Sequence, residues 1–189
     1  MEYEVEKIVR RKFNPANEKL YYRVKWANYS SHYNLWLVED DCENCSELIE
    51  QFERKLLRNI LGFKRNNGAM LYLIDCFDIS EHFFVTAEKA YKVWPEQFIG
   101  YFESKIRTVM GENEQDVMVN IPVEAENPMG DPVRVIYCSM VNNTPMYLFE
   151  WANSDKRFFN KEEARKWPLL LLEYLESKII VEQNVAHGV

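Results

Sequence analysis

Between Tyr21 and Trp36 the sequence Tyr-Tyr-Arg-Val-Lys-Trp-Ala-Asn-Tyr-Ser-Ser-His-Tyr-Asn-Leu-Trp gathers several aromatic rings on a short stretch of backbone. The alternation of Tyr22, Val24 and Trp26, with Arg23 and Lys25 between them, predicts a strand with one apolar face. Asn28 to His32 predicts a turn, and a second strand begins near Asn34. Aromatics at strand spacing usually fill a core, and on that reading Tyr22, Val24 and Trp36 cover a small sheet while Tyr29 caps a turn. Trp26 and Tyr29 fit the core less well, because strand ends and turns leave side chains exposed. Rings grouped in contact with water suit a cation. A quaternary ammonium has no N–H to donate and is poorly hydrated, and each desolvated ring face contributes about 0.5–2 kcal/mol of attraction.

No other constellation offers chemistry. His32, His82 and His187 are far apart in sequence, with no nucleophile or ligand set near them. Cys42-Glu-Asn-Cys45 is a lone pair without a second pair or a nearby histidine, and Cys76 and Cys138 are isolated, so neither a zinc site nor a disulfide framework is expected. There is no Gly-rich phosphate loop. We therefore expect neither an enzyme nor a cofactor nor a metal. The formal net charge of −7 favours a basic partner over nonspecific phosphate binding, so no direct nucleic-acid contact is expected. No apolar run is long enough to span a bilayer, and the acidic start Met1-Glu-Tyr-Glu-Val is unlike a signal peptide, which predicts a cytosolic or nuclear protein without a membrane partner.

The elements that must position the rings follow along the chain. Ser46 is a candidate cap for a helix carrying Leu48, Ile49, Phe52 and Leu56 on one stripe. Asn66-Asn-Gly68 predicts a hairpin turn, Met70 to Cys76 and His82 to Val85 predict strands, and Thr86 a cap for a short helix. Trp94-Pro95 then opens a longer helix through Ile106. The same unit returns: Val133 to Val141 and Pro145 to Trp151 pair across an Asn-Asn-Thr turn, Asn160 with Glu163 makes a capping box, and Trp167-Pro168 opens the last helix. Trp94-Pro95 and Tyr101-Phe-Glu-Ser-Lys-Ile106 repeat as Trp167-Pro168 and Tyr174-Leu-Glu-Ser-Lys-Ile179 at identical spacing. Each of these helices carries two apolar stripes, Phe98 and Tyr101 beside Ile99, Phe102 and Ile106 in the first, Leu171 and Tyr174 beside Leu172, Leu175 and Ile179 in the second. Either both stripes are core in one larger domain, or one stripe of each helix pairs with the other helix.

Tyr3-Glu-Val-Glu-Lys-Ile8, Tyr22-Arg-Val-Lys-Trp26, Tyr29, Asn34-Leu-Trp36, Glu39 and Leu48-Ile-Glu-Gln-Phe52 stand in the order and spacing of a chromodomain, which the N-terminal third resembles. The resemblance implies a methyllysine cage at Tyr3, Trp26 and Tyr29, with Tyr33 as a fourth wall as in Polycomb-like sequences. It implies a histone tail added as a strand between Glu2, Glu4 and Val5 on one side and Glu39, Asp41 and Glu43 on the other. Ala27-Asn28 stands where the family usually has Lys-Gly, and Leu37-Val38 where it has Glu-Pro.

The two later units each resemble a chromo shadow domain, without the long basic hinge usual in heterochromatin-protein-one-like proteins. The expectation is an α+β chain of three small chromo-like modules, each a three-stranded antiparallel sheet with C-terminal helix or helices. The modules are a chromodomain at 1–57, a first shadow-like domain at 58–110, a linker at 111–131, a second shadow-like domain at 132–183 and a tail at 184–189. The shadow-domain resemblance implies pairing of Ile99, Phe102 and Ile106 with Leu172, Leu175 and Ile179 inside one chain, giving a monomeric pseudo-dimer that recruits a protein partner. The apolar run Val119, Ile121, Pro122 and Val123 is either an occupant of the groove between the paired modules or an ordinary edge strand. The function implied is a nuclear chromatin reader and adaptor. Its rival is a chromatin-associated scaffold whose first module no longer reads methyllysine.

Overall fold

In the middle strand of each predicted unit, alternate residues are apolar and the burial follows with period two. Leu20, Tyr22 and Val24 are buried along β2 (Lys19–Trp26), Met70, Tyr72 and Ile74 along β5 (Ala69–Cys76), and Pro145, Tyr147 and Phe149 along β8 (Thr144–Glu150). The computed structural model describes residues 4–42, 45–109, 130–142 and 144–186, with side chains outside 106–109 and 179–186. It contains three separate three-stranded antiparallel sheets, each in sequential order. The first is β1 (Val5–Asn14), β2 and β3 (Leu35–Val38), followed by α1 (Ser46–Glu53). The second is β4 (Leu57–Asn66), β5 and β6 (Phe83–Thr86), followed by α2 (Ala87–Val93) and α3 (Pro95–Val109). The third is β7 (Arg134–Val141), β8 and β9 (Lys156–Asn160), followed by α4 (Lys161–Ala164) and α5 (Pro168–Ala186). The α+β class and its three repeated sheets are as the sequence leads one to expect.

The repetition extends to the irregularities. The first strand of each sheet slips register just after an inward-facing aliphatic residue, between Ile8 and Arg10, between Ile60 and Gly62, and between Val135 and Tyr137. Such a bulge bends the strand and tightens the local twist. Asn67 and Gly68 both take positive φ, 48° and 83°, as a two-residue turn of the I′ kind requires. Thr86 caps α2 through its side chain, and Asn160 and Glu163 form the expected capping box of α4. Proline stands first in both α3 and α5, where its missing N–H has no intrahelical acceptor to serve.

Ser46 is not the cap of α1. The Cys45 N–H donates to the Cys42 carbonyl at 3.0 Å, Ser46 is already the first helical residue, and Cys45 precedes it without a side-chain cap. Nor is the α1 stripe simply apolar: Ile49 and Glu53 are its buried residues, while Leu48 and Phe52 are half-covered.

The chain divides into two compact units, Met1–Trp94 and Pro95–Val189. A module at 58–110 would keep α3 with the second sheet, whereas this division groups it with the third. In the first unit the organising feature is a buried charge cluster. Glu53 accepts from the Tyr22 hydroxyl at 2.7 Å and from the Arg11 guanidinium, and its other oxygen lies 3.3 Å from Lys89 Nζ. Arg11 reaches on to both oxygens of Asp78, at 3.0 and 3.1 Å, and Lys89 to Glu39. Trp94 Nε1 donates to the Glu53 carbonyl at 2.9 Å. The side chains of Arg11 and Glu53 are wholly buried. Burial works against the Arg11 charge, but the hydrogen bonds to Asp78 and the charge of Glu53 outweigh it and hold its pKa above the ordinary value. Burial, then the charges of Glu53 and Glu39, push the Tyr22 phenol up.

The second unit repeats the device with different elements. The Tyr147 hydroxyl donates to Glu103 of α3 at 2.9 Å, and Lys161 and Arg165 approach the other Glu103 oxygen at 3.3 and 3.7 Å. This ties α3 to the third sheet. In the same unit α3 packs along α5, and Ile99, Phe102, Leu172 and Leu175 are all buried.

Removing one partner from a buried ion pair leaves the other charge without solvent or counterion, at a cost of about 3–5 kcal/mol. Arg11→Met is therefore expected to destabilise the first unit by about that amount in urea unfolding, and adding Glu53→Gln is expected to restore part of the loss. A loss for Arg11→Met below about 1 kcal/mol, the range of a surface pair, would show that the cluster does not hold the unit.

Candidate functional site

Trp26 ends β2, and the chain then turns sharply, the Tyr29 N–H donating to the Trp26 carbonyl at 3.3 Å. The turn is possible because Asn28 takes a φ of 62°, in the left-handed region where glycine is the usual choice and asparagine the commonest substitute. Asn28 in place of glycine thus leaves the bend intact. A 3-10 turn over Ser31–Tyr33 follows, closed by hydrogen bonds from Tyr33 N–H to the Ser30 carbonyl at 3.0 Å and from Asn34 N–H to the Ser31 carbonyl at 3.3 Å.

This double turn brings the Tyr29 and Tyr33 rings edge to face, with centroids 5.9 Å apart. His32 braces Tyr33 from the side at 5.8 Å. Tyr29 and Tyr33 are 40% and 59% exposed, whereas Val24 and Tyr22, one and two side-chain steps back from Trp26 along β2, are fully buried. The strand thus passes from core to open rings within a few residues. Trp26 is half-buried and pairs across the sheet with Val5. The Glu4 backbone carbonyl continues that pairing by accepting from the Ala27 N–H at 2.9 Å. Lys25 is held away from the rings by Glu6 at 2.7 Å and by the Trp26 carbonyl at 2.8 Å.

Of the predicted peptide-strand residues, Glu4 is exposed and Val5 opens β1. Glu39 and Asp41 lie in a 3-10 turn over Glu39–Asp41, where Glu39 is engaged by Lys89 and Asp41 is exposed. Tyr3, Glu2, Glu43 and the run Val119, Ile121, Pro122 and Val123 lie outside the described residues, as do the side chains of Ile106 and Ile179.

Trp36 is not part of the core. It pairs with Arg23 while Leu37 pairs with Tyr22, so strand parity turns Trp36 to the outer face and Leu37 to the buried one. Trp36 is 40% exposed, with Lys12 Nζ 4.6 Å from its ring centroid. Leu37 therefore occupies a half-buried place where a glutamate would meet the core face. Sequence reading also passed over Glu53 and Glu103. Their only signal was a helix carboxylate facing a strand tyrosine, which periodicity alone does not single out.

Residues 3–55 match the chromo (chromatin organisation modifier) domain family. Those residues form a chromo domain. A histone-lysine N-methyltransferase specific for lysine 9 of histone H3, from Schizosaccharomyces pombe (strain 972 / ATCC 24843), is 35% identical over 57 residues, which is 30% of this chain and 12% of that enzyme. The likeness is thus confined to a stretch the size of the chromo domain and covers little of the enzyme. No solved structure matches the chain. The presence of a chromo domain makes association with chromatin the functional frame for the exposed rings.

The bend at Asn28 is the part of this geometry most open to test. Asn28→Gly is expected to change stability by no more than about 0.5 kcal/mol, since glycine adopts positive φ freely. Asn28→Val is expected to cost about 1–2 kcal/mol, the penalty for a branched residue in the left-handed region. Thermal or urea unfolding reads both, and equal effects of the two substitutions would contradict the role given to the bend.

Proposed function

We propose that the chromo domain binds a methylated lysine of a histone tail, with Trp26 and Tyr29 as walls of an aromatic cage, Tyr3 completing it and Tyr33 forming an outer wall. The observation that carries this reading is the pair of exposed rings at 5.9 Å on a turn that also fixes the strand end bearing Trp26. A soluble domain gains nothing from leaving such rings in water, and a poorly hydrated ammonium is the ligand whose chemistry they match. The tail adds as a strand beside Glu4 and Val5, with Asp41 across from them, and the acidic side chains there suit a basic peptide. Because the methyltransferase with the similar stretch is specific for lysine 9 of histone H3, methylated lysine 9 of H3 is the first ligand to consider.

The second and third sheets, with α3 and α5, are proposed as shadow-like domains that pair within the chain and recruit a protein partner. The packing of α3 along α5, with Ile99, Phe102, Leu172 and Leu175 buried, supports this reading. On it the chain is a nuclear chromatin reader and adaptor and not an enzyme.

Titration of histone H3 peptides carrying unmodified and trimethylated lysine 9 tests the first part. The trimethylated peptide is expected to bind at least about tenfold more tightly, and Trp26→Ala to weaken it by roughly 2- to 30-fold, the equivalent of one ring. Equal affinity for the two peptides would leave the chromo domain as part of a scaffold that does not read methylation. Light scattering tests the second part: a monomer of 22.6 kDa is expected at micromolar concentration. A dimer converted to a folded monomer by Leu172→Glu would place the pairing between chains instead.

A further inference from the structure

The outer face of the first sheet, opposite Tyr22 and Val24, is cationic and aromatic in a chain whose formal net charge is −7. Cross-strand register sets Arg10 directly opposite Arg23, and Arg23 opposite Trp36. In the next row Lys12 stands opposite Tyr21. Arg10, Lys12 and Trp36 are exposed, and Arg23 and Tyr21 half-exposed. The Lys12 ammonium lies 4.6 Å from the Trp36 centroid and 5.6 Å from that of Tyr21, which fixes both rings beside the basic groups.

Like charges directly opposite one another weaken a sheet. Among the described residues neither Arg10 nor Arg23 forms an ion pair with a carboxylate, although lysines elsewhere in this sheet do, Lys25 with Glu6 and Lys19 with Asp40. The fold itself does not require the arginines. The register places Gly62 and Leu73 in the second sheet, and Tyr137 and Leu148 in the third, where the first has Arg10 and Arg23. The place of Trp36 is taken by Phe84 and Phe158. An aromatic residue at that position is thus common to all three sheets, while the guanidinium pair belongs to the first alone. The whole-chain charge, which argued against nucleic acid, averages this face away.

We propose that this face binds single-stranded nucleic acid, its phosphates meeting Arg10, Arg23 and Lys12 and a base stacking on Trp36. The guanidinium pair supplies fixed positive charge for a polyanion, and the exposed Trp36 indole is a sequence-tolerant platform for an unpaired base. A duplex keeps its bases stacked inside and cannot use the indole, so the face selects single strands. The proposal does not rest on the methyllysine reading, since the cage residues are not among those it uses.

Fluorescence anisotropy of the full chain with a labelled, mixed-sequence single-stranded RNA of about twelve nucleotides tests it, beside a DNA strand of the same sequence and the corresponding DNA duplex. Both single strands are expected to bind more tightly than the duplex, with affinity falling as salt rises. Arg10→Ser with Arg23→Leu, the latter the residue type already present in the other two sheets, is expected to weaken single-strand binding by about tenfold. It should also reduce the slope of log affinity on log salt by roughly 1.4, the equivalent of two phosphate contacts. Trp36→Leu should weaken single-strand binding and leave duplex binding unchanged, while Trp36→Phe retains it. Lys12→Gln, at an exposed position, gives a second reading of the charge should the double variant lose its circular dichroism signal. Absence of RNA binding at low salt, preference for the duplex, or affinity and salt slope unchanged in the folded variants would overturn the proposal.

Discussion

A carboxylate taken out of water must receive hydrogen bonds or charge from its neighbours, and the whole first unit is arranged to supply them to Glu53. Its side chain is fully buried, and the groups that meet it come from three directions: Tyr22 from the middle strand, Arg11 from the first strand and Lys89 from α2. Arg11 and Lys89 in turn bring in Asp78 and Glu39, so the first sheet, α1 and the region around the second sheet are fixed by one network. The aromatic stacking of Phe13 on Phe83 at 5.1 Å closes the same contact with apolar surface. A network of this kind adds less net stability than its Coulomb attraction suggests, because desolvation opposes it, but any misplacement of its parts is costly. The open rings beyond Trp26 can be left in water because the strand that carries them is held by this interaction further back.

The fold was legible wherever local chemistry decides geometry. Alternation located the middle strands, Asn67-Gly68 located a turn that needs two positive φ angles, and Trp-Pro located two helix starts. The identical spacing of two segments disclosed the repeat. What stayed hidden depends on pairing across the chain. The parity of β3 is set by its register with β2, and without that register Trp36 reads as core when it faces outward. Likewise the grouping of α3 with the third sheet turns on Glu103 meeting Tyr147, a contact between residues far apart in sequence. Ser46 differs from the cap by a single position, because the helix already includes it and Cys45 stands before it.

The candidate site was legible to a different degree. The types and spacing of Trp26, Tyr29 and Tyr33 could be read directly, but their approach could not, since it depends on Asn28 at a φ of 62° and on the 3-10 turn that follows. Charge was the weakest guide of all. A formal net charge of −7 describes the chain as a whole, while the register gathers Arg10, Arg23 and Lys12 on one face of one sheet. The same short sheet thus presents two chemically distinct surfaces, open rings at the end of one face and guanidinium groups across the other.

The tryptophans give the most direct view of the central claim that the rings around Trp26 receive a methylated lysine. The chain has five. Trp94 and Trp151 are buried, and Trp36 stands on the outer face of the first sheet, opposite the face that Trp26 shares with Tyr22 and Val24. In a nitrogen–proton correlation spectrum of the whole chain, addition of an H3 peptide trimethylated at lysine 9 is predicted to move the Trp26 indole signal while leaving that of Trp36 in place. A peptide that binds without moving the Trp26 indole would contradict the account.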